Sequence, residues 1–336
     1  MTDALRLKEI GPCDYAKAFI GALDNPHQLW DVAFRTHISP MCRHLLFSLF
    51  FCSEYGVAID ELKLVFNALH PALCRLYGLA HDPKDYEDAV RVMEGGFINI
   101  RGKTISFINP SLRDYLDGYL DDISLLSAFA VTAQKVSWAR SIWHHVSLDR
   151  ARFSHDDREA LSVAFRPIAA ASVTLPVMKQ DPEPPHYYTI SDISVSDRIE
   201  LLLRWAGIAN DDAFVQAALA LSRKPVGGFS AWRDGKNLID LVYSLRSGEY
   251  EGLACAEEMI SLLEGAVVDV FDNPMDPDDL EGMCDAVDAN KRDMDASIIS
   301  AMHRAIIREV DDAMEMVASE ASESTLSDHA KILEKL

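Results

Sequence analysis

The stretch RSIWHH places Arg140 and His145 with four residues between them. A neutral imidazole can take a proton from an attacking hydroxyl, and a guanidinium beside it can stabilise charge developing on a phosphate. The pair therefore offers phosphodiester cleavage, with Arg140 and His145 as the catalytic candidates. The same spacing also suits an amphipathic helix with Trp138 and Trp143 turned inward. RLYGLAH (Arg75, His81) is a looser version of the pattern. GGFSAWRDGKN (227–237) is the nearest approach to a phosphate-cradling loop. Its glycines are spaced wrongly, bulky residues fill it, and Asn237 stands where a magnesium-binding hydroxyl is needed, so ATP hydrolysis by this chain alone is not expected. DNPMDPDDLEG (272–282) concentrates carboxylates but lacks the alternating ligands and closing glutamate of a calcium loop. It reads as an acidic loop capping a helix. The six cysteines (Cys13, Cys42, Cys52, Cys74, Cys255, Cys284) form no CxxC pair and read as buried reduced thiols, with no metal site expected.

The chain that must position these groups has 336 residues, 49% hydrophobic and 25% charged, enough for two domains. No run of about 18 apolar residues occurs and the N-terminus lacks a signal-peptide pattern, so no membrane span and a cytoplasmic location are expected. The formal net charge is −21, and it is unevenly spread: residues 1–150 carry 15 basic and 18 acidic side chains, the remainder 17 and 35. So acidic a C-terminal half repels phosphate backbones and argues against nucleic acid as its partner.

Apolar periodicity gives the elements. SPMCRHLLFSLFFCSEYG reads as a helix begun by Ser39-Pro40 and stopped near Gly56. Asp60 is placed to cap a second helix, ELKLVFNAL. DYEDAVRVMEGG gives a third, ended by Gly95-Gly96. Phe97, Ile98 and Ile100, then Ile105, Phe107 and Ile108, alternate as two strands around an RGK turn. Three helices and a hairpin are the order of a winged helix. Beyond Asn109 the pattern is helical: ISLLSAFAVTAQKVSWARSIWHHV (123–146) reads as one long helix, Pro182, Pro184 and Pro185 mark a linker, and further helices run through 196–207, 211–223, 237–246, 252–271 and 295–319. The tail after them is polar. The expected fold is mainly α: an N-terminal helical segment (1–34), a winged-helix module (35–120), connecting helices (121–180), and an acidic helical bundle or solenoid-like domain (181–336). As a DNA reader the module is poor. Its third helix carries Asp85, Glu87, Asp88 and Glu94 against Lys84 and Arg91, leaving only Arg101 and Lys103 on the wing as DNA-contact candidates.

Two stretches carry a family resemblance. LDNPHQLW (23–30) and FINPSLRDYL (107–116) resemble the region beyond the ATPase core of bacterial STAND NTPases of the novel STAND type. There, a segment like the first closes the ATPase lid, and a winged helix ends in F-x-NPS-x-RD-[FY]-L. The matching positions here are Phe107, Asn109, Pro110, Ser111, Arg113, Asp114, Tyr115 and Leu116. Thr132-Ala133-Gln134 partly matches a further step, and the likeness spans roughly residues 18–140. It implies an antiviral switch in which nucleotide-driven oligomerisation follows target binding by a helical sensor. The P-loop and Walker elements that would precede residue 18 have no counterpart here. The expectation is therefore a fragment, or a regulatory subunit that binds no cofactor by itself and meets ATP or ADP through a partner NTPase or effector; self-assembly is the further partner expected. By the same resemblance Asn109 stands where related proteins place a phosphate-contacting His, and Pro110 where they place Asp, while Asn109-Pro110 also fits a plain helix cap. RSIWHH separately resembles the active-site motif of the HEPN ribonucleases, implying RNA cleavage by Arg140 and His145 from two chains, though Ser141 departs from that family's pattern.

Overall fold

Ser39 holds extended backbone and Pro40 takes the first helical position, so helix α1 (Pro40–Cys52) begins where the Ser-Pro signal puts it. A computed structural model of the chain describes residue 14 and residues 30–53, 55–180, 188–250, 252–253 and 255–319. It divides into two compact units, Met1–Ile168 and Ala169–Leu336.

In the first unit α1 is followed by strand β1 (Val57–Ala58), helices α2 (Ile59–Tyr77) and α3 (Asp85–Met93), and strands β2 (Ile98–Arg101) and β3 (Thr104–Phe107). The sheet order β1-β3-β2, all antiparallel, set among three helices in the order α1-β1-α2-α3-β2-β3, is that of a winged helix. The hairpin of the sequence pattern is thus two strands of three. β1 escapes the pattern because two residues are too short to show an alternation. Gly56, expected to stop α1, serves the sheet instead: the helix already ends at an extended Ser53. Gly56 has φ +118°, and a Cβ there would stand 2.9 Å from Thr104 Cγ2 and 3.0 Å from the Ile105 carbonyl, so only glycine lets β1 approach β3. Asp60 does not cap α2. Ala58 occupies the cap position and Asp60 lies in the first turn, where its charge still suits the helix dipole.

Phe34, Leu45, Leu46, Leu49, Leu62, Leu69, Leu73, Ile98 and Ile105 make the core of this unit. One polar knot sits among them. His44 of α1 and His70 of α2 face each other, Nδ1 to Nδ1 at 2.8 Å. His70 Nε2 lies 2.9 Å from Asp85 Oδ2 at the start of α3, and Cys74 lies one turn along α2. Burial, with His70 and Arg43 adding to it, pushes the His44 pKa down to about 3 and keeps its ring neutral.

The helices after the wing are α4 (Pro110–Tyr119), α5 (Ile123–Thr132), α6 (Val136–Leu148), α7 (His155–Ala164) and α8 (Arg166–Ser172), the last running through the division. The single helix expected over 123–146 is two. Thr132 Oγ1 donates to the carbonyls of Ala128 and Phe129, competing with the helix ladder, Ala133 leaves the helical region with ψ 129°, and Lys135 takes extended backbone. The break lets α5 pack on α2 and α7 while α6 packs on α1.

The second unit opens with a hairpin, β4 (Met178–Gln180) and β5 (Tyr188–Ile190). Pro182, Pro184 and Pro185 lie between these strands, outside the described residues. Helices α9 (Val195–Ala209), α10 (Asp212–Arg223), α11 (Ala231–Arg246), α12 (Ala256–Asp272), α13 (Pro277–Ala289) and α14 (Ala296–Ser319) follow. Five of them match the periodic stretches of the sequence. The sixth, α13, begins in the acidic loop, where Asp276 accepts from the Asp278 amide as an N-cap. The GGFSAWRDGKN stretch has a structural use. Asp234, 1% exposed, accepts from the Val195 and Ser196 amides at the start of α9, from the Ser230 amide, and from Arg233 Nε at 2.8 Å. Gly235 next to it lies so close to α13 that a Cβ would meet Met283 Sδ at 2.7 Å.

Among the described residues no helix is long and apolar enough to cross a membrane. The molecule is mainly α, with a small antiparallel sheet and a helical bundle.

Candidate functional site

Helix α4 owes its start to Asn109-Pro110. Asn109 Oδ1 accepts from the Ser111 amide at 2.9 Å, and Pro110 lacks the N–H that would otherwise be left over in the first turn. From this start the helix turns Leu112, Tyr115 and Leu116 into the core. Arg113, Asp114 and Asp117 fall on the other side. Helix α6, buried through Val136, Trp138, Ala139, Ile142, Trp143 and Val146, presents Arg140, Ser141, His144 and Leu148. The two faces, with Phe50, Phe51 and Ser53 at the end of α1 and with Asp149 and Arg152, enclose a cleft of about 730 Å³. Arg113, Asp114, Arg140 and His145, singled out for two unrelated reasons in the sequence, thus line one site.

Its charges are largely committed. Arg113 Nη1 donates to the Phe50 carbonyl at 2.9 Å, and the guanidinium lies 4.5 Å from the centre of the Phe50 ring. This ties α4 to the end of α1. Arg152 donates to the Asp117 carbonyl at 2.7 Å and stands within ion-pair distance of the Asp117 and Asp149 carboxylates. Three arginines meet three aspartates, so the cleft is no anion trap; it offers hydrogen bonds to a polar ligand or segment.

His145 is 9% exposed. Its Nε2 lies 2.7 Å from the Leu120 carbonyl and its Nδ1 3.0 Å from Asp117 Oδ1. Phe50, Phe51 and Phe153 stand edge to face around the ring. Both nitrogens are thus engaged by contacts within the chain. The ring pins α6 to the end of α4. The two residues of the RSIWHH spacing line the same cleft, the histidine buried and the arginine exposed on its rim.

The remaining residues of the Asn-Pro-Ser motif meet the helical turn that precedes α1. Trp30 Nε1 donates to Ser111 Oγ at 2.9 Å and the indole packs 5.6 Å from the Phe97 ring. Tyr115 donates its hydroxyl hydrogen to Asp31 Oδ1 at 3.1 Å; burial first, and then this bond, push the Tyr115 pKa up. The end of the lid-like stretch therefore touches the start of α4. The rest of that stretch, residues 23–29, lies outside the described residues. Asn109 itself is exposed, and its Nδ2 makes no hydrogen bond among the described residues. Phe107 ends β3 in register with Ile98. Arg101 and Lys103 are exposed at the wing tip, away from the cleft. On the would-be reader helix α3, Lys63 from α2 pairs with Glu87 and Arg91 with Asp88, which uses the basic groups internally.

Sequence reasoning overlooked Asp117, Asp149 and Arg152 in the cleft and the Trp30–Ser111 contact. The three cleft residues leave a weak signal, since Asp114 and Asp117, and Asp149 and Arg152, are spaced to share a side of one turn. The contact leaves none, because 81 residues separate its partners. The chain matches no protein-family model, no curated protein and no solved structure.

Proposed function

We propose that this chain is a non-catalytic regulatory and interaction module of a STAND-like NTPase system, acting in prokaryotic antiviral defence. The observation that carries the reading is the Trp30–Ser111 hydrogen bond, with Asp31–Tyr115 beside it. The two stretches on which the resemblance rests lie far apart in the chain, yet their ends are in direct contact. A movement of the lid-like segment would therefore be felt at the first turn of α4, beside the candidate nucleotide-sensing Asn109. The exposed Nδ2 of Asn109 can donate one hydrogen bond to a phosphate oxygen held by a partner NTPase core. The helical second unit is the sensor or partner-binding arm in this reading. No observation of similar weight favours a ribonuclease, given the engaged nitrogens of His145, or a DNA-binding regulator, given the acidic α3.

The test is an ATPase assay on the purified chain alone and with any NTPase that co-purifies with it. The chain alone is expected to show no turnover, and its addition to change the partner's rate or assembly. Trp30→Phe, which keeps the ring and removes the donor, should weaken that effect. Turnover by the isolated chain would overturn the reading.

A further inference from the structure

We propose that His44, His70 and Cys74 form a zinc-binding site inside the winged-helix module. These side chains are 4%, 4% and 1% exposed, and each offers a ligand atom within 4.8 Å of the other two. His44 comes from α1; His70 and Cys74 are one turn apart on α2, so both lie on the same side of that helix. The His44 and His70 Nδ1 atoms are 2.8 Å apart, and Cys74 Sγ lies 3.8 Å from His70 Nδ1 and 3.6 Å from its Nε2. Tetrahedral bonding at about 2.0–2.1 Å to nitrogen and about 2.3 Å to sulfur requires separations of about 3.3 Å between the nitrogens and about 3.6 Å from nitrogen to sulfur. The two separations that involve His70 Nδ1 thus stand within about half an ångström of the spacing a zinc ion needs, and the His44 and Cys74 ligand atoms, within 4.8 Å of each other, close up on binding.

The surroundings fit the same ion. His70 Nε2 faces Asp85 Oδ2 at 2.9 Å, the carboxylate–histidine pairing that fixes a ligating ring and raises its basicity. Phe66 stacks on the His70 ring, its centroid 4.6 Å away, and holds its plane. Asp85 is 17% exposed and marks the side from which an ion can enter. Two imidazoles and one thiolate suit zinc among the common divalent ions, with water as the fourth ligand. On binding, Cys74 Sγ loses its proton to solvent and the His44 proton occupies Nε2, leaving Nδ1 to the metal. A histidine pair joined by one N–H···N bond accounts for the first contact alone; it gives no role to Cys74.

Cobalt(II), added to the chelator-treated full-length chain, is the probe. One equivalent should produce the intense visible bands of a four-coordinate ion and a near-ultraviolet thiolate-to-cobalt band, both abolished by zinc. Cys74→Ser should remove the thiolate band, and His44→Gln should weaken cobalt binding by more than about tenfold. Cys42→Ser and Cys52→Ser should change neither. Absence of the thiolate band in the unsubstituted chain, or its survival in Cys74→Ser, overturns the proposal. Should Cys74→Ser not fold, X-ray absorption at the zinc edge of the unsubstituted chain decides. One sulfur and two imidazoles are expected, and a shell without sulfur overturns the site.

Discussion

Asn109 and His145 carry chemistry-bearing side chains, and both first serve the backbone. For Asn109 the two roles can be separated. Asn109→Ala removes the cap and should cost about 1 kcal/mol in denaturant unfolding. Asn109→Asp keeps an acceptor for the Ser111 amide but presents a charge that repels phosphate. It should leave stability nearly unchanged and abolish any nucleotide response of an assembled complex. If both variants behave alike in that complex, Asn109 is a cap and nothing more. His145→Ala would leave the Leu120 carbonyl without its donor and open a void among Phe50, Phe51 and Phe153. A loss of about 3 kcal/mol is expected from the two effects together. A variant as stable as the parent would show that the ring does not pin α6.

At the scale of elements, close approach decides which residues are allowed. β1 has two residues and reaches β3 only because Gly56 holds a positive φ against Thr104 and Ile105. Gly56→Ala introduces both backbone strain and a clash, and a loss of about 1–3 kcal/mol is expected by thermal or denaturant unfolding. In the second unit Asp234 joins α11 to the N-terminus of α9 through buried bonds to amides and to Arg233. Asp234→Ala leaves those donors and the Arg233 charge without their acceptor, so a loss of about 3 kcal/mol or more is expected. Restored stability in Arg233→Met combined with Asp234→Ala would identify the orphaned charge as the main cost; additive losses would point to the cap instead.

For the whole molecule, the division at 168/169 and the charge distribution act together. Residues 1–168 carry 18 basic and 21 acidic side chains, residues 169–336 carry 14 and 32. Each unit has its own core, so heating should not melt the chain as one cooperative block. The calorimetric enthalpy should exceed the van't Hoff enthalpy by about twofold. Self-repulsion in the acidic unit is screened by salt, with a Debye length falling from about 30 Å at 0.01 M to about 10 Å at 0.1 M. Raising the salt across that range should therefore raise one melting transition and leave the other nearly fixed. A single transition insensitive to salt would contradict both statements.

Much of the fold was legible in the chain because it is written locally. The Ser39-Pro40 and Asn109-Pro110 starts, the turn at Gly102 and the period of the apolar residues depend on neighbours a few positions away, and these determined the helices of the winged helix, its hairpin and most of the second unit. What tertiary structure alone decided involves partners distant in sequence. β1 pairs across 48 residues, between Val57 and Ile105. The helix over 123–146 breaks at Thr132, and the break lets its halves pack on different neighbours. The site shows the same partition. Residue types put Arg113, Asp114, Arg140 and His145 forward one by one, but only the packing of α4 and α6 on α1 gathers them in one cleft. Only that packing, too, sets the His145 ring against Asp117 and the Leu120 carbonyl. His44 and His70, 26 residues apart, carry no spacing signal at all. They meet because α1 and α2 each bury an apolar face and the polar atoms left between those faces must find one another, a condition that a linear chain does not record.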